Sequence, residues 1–130
     1  MKRSIFTLAI SLFLCLSFII NANALLLDST TFYCYANGTG RGWLYSDEYY
    51  DIWAVETYST YTYDYITCKL EVLLESGGEF VTVINKEIPS ARDVYDEYDS
   101  SSTVLWAKGY HAIRVYDFEQ WLTYSGTTDY

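Results

Sequence analysis

Three groups of residues in this chain carry side chains capable of chemistry. His111, the only histidine, stands in a stretch where alternation places it on one face with Leu105, Ala107, Gly109, Ile113 and Val115. That face is apolar, so the imidazole is expected to be a hydrogen-bonded core or core-edge group. One histidine cannot build a zinc site. As a general base it would need a nucleophile, and no G-x-S-x-G or comparable signature supplies one. Asp93, Asp96, Glu97 and Asp99, followed by Ser100, Ser101 and Ser102, offer oxygens for calcium, which takes six to eight of them. The spacing does not form a D-x-[DN]-x-[DN]-G loop, and such a charge run is expected to be a solvated face. Acidic residues are plentiful, yet no pair stands out for glycoside hydrolysis. No metal or other cofactor is expected, and no catalytic residue is assigned.

The third group is tyrosine. The segment 58–76 places Tyr58, Tyr61, Tyr63 and Tyr65 in eight positions and then alternates strictly. Ile66, Cys68, Leu70, Val72 and Leu74 point one way, and Thr67, Lys69, Glu71 and Glu75 the other. Extending that register backwards predicts Tyr63 and Tyr65 on the solvent side. In the first strand Phe32, Cys34 and Ala36 share the inner face, which turns Tyr33 and Tyr35 outward. An outward tyrosine row stabilises a sheet through cross-strand contacts, and it also suits sugars, peptides and other surfaces. Tyr33, Tyr35, Tyr63 and Tyr65 are therefore the candidate ligand-binding residues.

Whole-chain features set the context. Lys2 and Arg3, the apolar stretch Ile5 to Ile20 and Ala22-Asn23-Ala24 read as a signal peptide over 1–24. The apolar stretch is short for a spanning helix, and nothing later approaches the roughly 20 residues one needs. One secreted domain, 25–130, remains. Without Lys2 and Arg3, 6 of the 8 basic residues stand against 17 acidic ones, and the net charge moves from −9 to −11. Nucleic acid, which calls for a basic patch, is not an expected partner, and neither is anionic lipid. Loss of Cys15 leaves two cysteines, both in inward positions. An exported chain with such a pair predicts a Cys34–Cys68 disulfide, which would stabilise the fold by roughly 4 kcal/mol on a chain-entropy account. Asn37-Gly38-Thr39 is a glycosylation sequon.

The elements that must position these groups read as strands at 30–36, 42–46, 51–58, 63–75, 79–86, 104–116 and 119–124. Gly77-Gly78 is expected to close a hairpin by supplying positive φ. The 87–103 connection breaks the pattern. Ser90 and Asp93 resemble a capping box, and Ala91, Val94, Tyr95 and Tyr98 fall at helical spacing, which predicts a short helix. The expected architecture is all-β: a single antiparallel β-sandwich of about seven strands with one short helix. A transmembrane barrel needs an apolar outward band, and Lys69, Glu71 and Glu75 occupy that face.

Lys108-Gly109-Tyr110-His111 in a late strand and an aromatic-rich final strand around Trp121, behind an export signal and short alternating strands, resemble small secreted β-sandwich proteins of Gram-positive bacteria. These are mostly uncharacterised, and the lactococcin-972-like bacteriocins are their better-known neighbours in style. The resemblance implies an exported β-sandwich and a toxin role. This chain departs from them in its acidity and its cysteine pair, and no functional residue carries over. The sequence thus points to a secreted, non-catalytic interaction module that binds a glycan or another extracellular partner through outward tyrosines. A bacteriocin-like toxin and a small carboxylate-dependent hydrolase are the alternatives.

Overall fold

The computed structural model describes residues 24–47 and 51–130, and all but the last residue of the expected signal segment 1–24 lies outside them. Six antiparallel strands make up the fold: β1 (Ala24–Tyr33), β2 (Thr39–Asp47), β3 (Ile52–Leu74), β4 (Phe80–Asp99), β5 (Val104–Asp117) and β6 (Gln120–Asp129). They form one sheet in the order β1-β2-β3-β5-β6, with β4 along the other edge of β3. The sheet is curled, so that β2 packs over β5 and β6, and β1 over β6.

The curl is written into β3. One of its edges pairs with β4 from Ile52 to Tyr58 and again from Tyr63 to Leu73. The other pairs with β2 from Ile52 to Ser59 and then with β5 from Tyr65 to Leu74. Between those spans the β3–β4 register slips. Tyr58 faces Asp93 and Tyr63 faces Ala91, so four residues of β3 stand against one of β4. Such a bulge bends a strand and increases its twist. Ser90, at φ 50°, kinks β4 at the same level. Arg92 fills the gap: its Nε donates to the Ser59 carbonyl at 3.4 Å, and its guanidinium donates to the Tyr58 hydroxyl at 2.6 Å.

Two expected strands are thus one, and the predicted helix is absent. Residues 87–99 continue β4 as a strand, because 93–99 pair with 58–52 of β3. Tertiary pairing overrides the helical spacing, since the N-terminal half of β3 needs a partner on that edge. Val94 is buried on the inner face while Asp93, Tyr95 and Glu97 alternate to the outer one. Pleating therefore splits the acidic run between two faces. Among the described residues the only helical element is a 3-10 turn at Tyr35–Asn37, where Ala36 and Asn37 have φ of 56° and 61°. Ala36 is exposed rather than inward, because β1 has ended before it. No glycine adopts positive φ, so Gly77 and Gly78 serve the five-residue connection 75–79 without it. Left-handed backbone falls instead to Phe118 and Glu119, the two-residue link between β5 and β6.

The inner face follows the alternation. Ile66, Cys68, Leu70 and Val72 are fully buried with Leu44, Val55 and Ile113. Burying a side chain of this size stabilises a fold by about 1.5–3 kcal/mol. Trp53 joins the core, whereas Leu105, Trp106 and Trp121 are exposed. Glycine permits the two halves of the curled sheet to meet. A Cβ at Gly42 would strike the His111 ring, and one at Gly109 the Thr128 hydroxyl. At Gly78 a Cβ would meet nothing within 4 Å.

That contrast sets an expectation. Gly42→Ala should cost about 1–3 kcal/mol through overpacking, while Gly78→Ala should be neutral or stabilising by about 0.4–1 kcal/mol. Urea denaturation of the two variants compares them. Equal stabilities would mean that β2 does not approach β5 this closely.

Candidate functional site

The buried groups with reactive side chains are structural. His111 is fully buried, with Nδ1 2.8 Å from Thr57 Oγ1 and Nε2 3.0 Å from Thr128 Oγ1. The Thr57 hydroxyl donates its proton to the Thr67 carbonyl at 2.9 Å. It must therefore accept from Nδ1–H, which leaves Nε2 of the neutral ring to accept from Thr128. Burial drives the imidazole pKa down to about 4, against smaller upward pulls from the Glu56 backbone and the Asp28 charge. Among the described residues no nucleophile other than these two bonded threonines is hydrogen-bonded to the ring nitrogens.

Cys34 and Cys68 are free buried thiols, which corrects the expected disulfide. Both do point inward, but topology separates them. Cys34 follows β1, which pairs with β2, while Cys68 lies in β3 between Lys86 of β4 and His111 of β5. Burial pushes the Cys34 thiol up to about 11 and the Cys68 thiol to about 12, the latter helped by the Asp96 charge. Neither is an activated nucleophile.

The four tyrosines do not form one row. Tyr33 is 82% exposed and Tyr35 39%. Tyr63 is buried, which overturns its expected outward position, and its hydroxyl donates to the Tyr35 carbonyl at 2.8 Å. The bulge just before it and the turn after β1 cover the ring: a Cβ at Gly38 would collide with its hydroxyl. Tyr65 is half-buried in a different cluster. There the Arg114 guanidinium lies 4.9 Å from the Tyr65 ring and 4.9 Å from the Trp121 ring, and it bonds Glu87 Oε1 at 3.1 Å. Tyr116 packs on Trp121 at 5.2 Å.

Tyr35, Tyr63 and Tyr116 do converge, with Asp64 and Asp117, on a groove of about 340 Å³ at the end of the curled sheet. Asp64 Oδ2 accepts the Tyr116 backbone N–H at 2.7 Å. The Asp117 carboxylate hydrogen-bonds the Tyr35 hydroxyl and raises its pKa.

A second concavity, about 370 Å³, lies on the outer face of β2 and β3 and is lined by Arg41, Trp43, Tyr45, Glu56 and Tyr58. Its origin is the alternation of β2: Gly40, Gly42 and Leu44 turn inward, so Arg41, Trp43 and Tyr45 turn outward. Across the ladder Arg41 faces Tyr58 and Trp43 faces Glu56. Arg92 stacks over the Tyr58 ring at 5.5 Å, which fixes that ring's tilt. Glu56 hydrogen-bonds Asp93, whose carboxyl is held above its ordinary pKa by desolvation, with that bond pulling partly back. The period-two pattern of Arg41-Gly42-Trp43-Leu44-Tyr45 was the available signal for this wall. The facing wall, Glu56 and Tyr58, depended on a pairing register that no local pattern announces.

Two outcomes test these assignments. Without reductant, the native mature chain 25–130, which lacks Cys15, should resist alkylation and the same chain unfolded should take two labels by intact mass; an unlabelled unfolded mature chain would restore the disulfide. The proton on His111 binds the unfolded chain first as pH falls, near 6.5. Stability from the neutral ring is therefore complete above about pH 6.5 and lost between there and pH 4, on the order of 3 kcal/mol. His111→Gln should flatten that part of the stability curve, and an unchanged slope would assign the loss elsewhere.

Among the described residues no group of three or more His, Cys, Asp or Glu side chains could hold a metal ion, and no helix is long and apolar enough to cross a membrane. Comparison with protein-family models, with curated proteins and with solved structures gave no match.

Proposed function

We propose that this chain is a secreted, non-catalytic interaction module that binds a glycan in the outer groove of β2 and β3. The observation that carries the reading is the set Trp43, Tyr45 and Tyr58 flanked by Arg41 and Glu56 around one concavity. Flat aromatic rings offer apolar faces to the C–H surface of a sugar, and their polar tips remain wet. Arg41 and Glu56 supply a donor and an acceptor for hydroxyl groups. The site is largely preformed, because both walls belong to a paired ladder and Arg92 holds Tyr58 in place.

The signal-like segment 1–24 motivates the extracellular location. The glycan reading moves the expected site from Tyr33, Tyr35, Tyr63 and Tyr65 to the β2–β3 face. Binding is favoured over cleavage by the spacing of the acids. Glu56 and Asp93 share a hydrogen bond, closer than the roughly 5 Å that even a retaining glycosidase keeps between its carboxyls. The toxin alternative rests on chain size, the expected export and resemblance, whereas the groove motivates binding.

A screen of the secreted form against glycans and cell-wall polysaccharides tests this. Trp43→Ala with Tyr58→Ala should weaken binding more than tenfold, about 2 kcal/mol for two lost stacking partners, while the variant stays folded. Tyr33→Ser, altering a side chain with almost no contacts, should bind as the parent does. Retention of binding by the double variant would place the site elsewhere.

A further inference from the structure

The groove at the end of the sheet is a separate site, sharing no lining residue with the one on β2 and β3. Its walls come from four irregular places: the 3-10 turn, the β3 bulge, the β4 kink at Ser90 and the last residues of β5. Three tyrosines line it, with the two carboxylates of Asp64 and Asp117, and no lysine or arginine does. Asp117 Oδ2 is buried without a hydrogen-bond partner among the described residues. A buried carboxylate oxygen left without a partner costs a fold free energy, and a positive charge brought beside it by a ligand would offset that cost.

We propose that this groove binds an organic ammonium group, such as a choline-type headgroup or a methylated amine. Aromatic faces attract such cations through the ring quadrupole, more strongly than they attract a neutral group of equal shape. The carboxylates add a full opposite charge, and the net charge of −9 raises the local concentration of cations. A bare metal ion fits less well. Two carboxylates fall short of the six to eight oxygens calcium takes, and about 340 Å³ walled partly by rings is too large and too apolar for it. Tyr63 is buried and its hydroxyl is already committed to the Tyr35 carbonyl, so that residue walls the groove rather than reaching into it. Tyr116, 56% exposed, offers a ring that a ligand can reach.

Calorimetric titration of the full chain with choline chloride, and with 3,3-dimethyl-1-butanol as its uncharged isostere, separates charge from shape. Choline should bind saturably, with the alcohol at least tenfold weaker, and added salt should weaken choline alone. Asp117→Asn and Tyr116→Leu should each weaken choline at least fivefold. Melting curves establish that each variant is folded; Tyr116→Leu, at an exposed position, carries the test should the aspartate variant fail. Equal binding of choline and the alcohol, binding of neither, or full choline affinity in a folded variant overturns the proposal. None of these results depends on whether the β2–β3 groove binds a glycan.

Discussion

The contact on which the structure most depends is the imidazole of His111, clamped between Thr57 of β3 and Thr128 of β6. It sits where the two halves of the curled sheet meet, and Gly42 of β2 lies against its ring. A polar group in that position is tolerable only because both nitrogens are satisfied, and the proton order Nδ1–H to Thr57 to the Thr67 carbonyl satisfies them in one tautomer. An apolar residue of similar volume would fill the space, but it would leave the two threonine hydroxyls with one partner fewer. The triad thus ties β3, β5 and β6 in a single arrangement and sets how near β2 can come.

The second constraint is geometric. A strand of 23 residues cannot keep one pair of neighbours while its sheet curls through so tight a space. Exchanging β2 for β5 at a bulge resolves that conflict, and the exchange leaves several chain segments irregular at one level. Those irregular segments are where tyrosine and aspartate gather. The ladder on β2 and β3, by contrast, produces a regular surface whose aromatic residues follow from pleating alone. The two grooves therefore differ in origin: one is a feature of register, the other of its interruption.

Acidity is distributed with the same logic. Among the described residues β4, 20 residues long, pairs only with β3 and leaves its other edge open. Glu87, Pro89, Asp93, Asp96, Glu97 and Asp99 line it, and charges and proline are poor templates for a further strand. The acidic run, expected as a solvated face, also protects that edge. The same charge disfavours phosphate-bearing partners and favours cations.

Much of the fold was legible because strand alternation is local. The inward set Ile66, Cys68, Leu70 and Val72 and the buried His111 follow from period two and side-chain type, and so does the all-β class. Local pattern also determined that Cys34 and Cys68 face the interior. What it could not determine was distance between strands, and there the tertiary structure decided. The cysteines stay unbridged because β2 lies between their strands. Residues 93–99 are strand rather than helix because β3 offers an edge to pair with. Tyr63 is buried because the turn after β1 folds over it. Trp43 and Tyr58 become one site because a register of Arg41 against Tyr58 brings them together. Each depends on a contact between segments far apart in sequence, and a single chain read along its length carries the propensity of each segment but not the energy of their meeting.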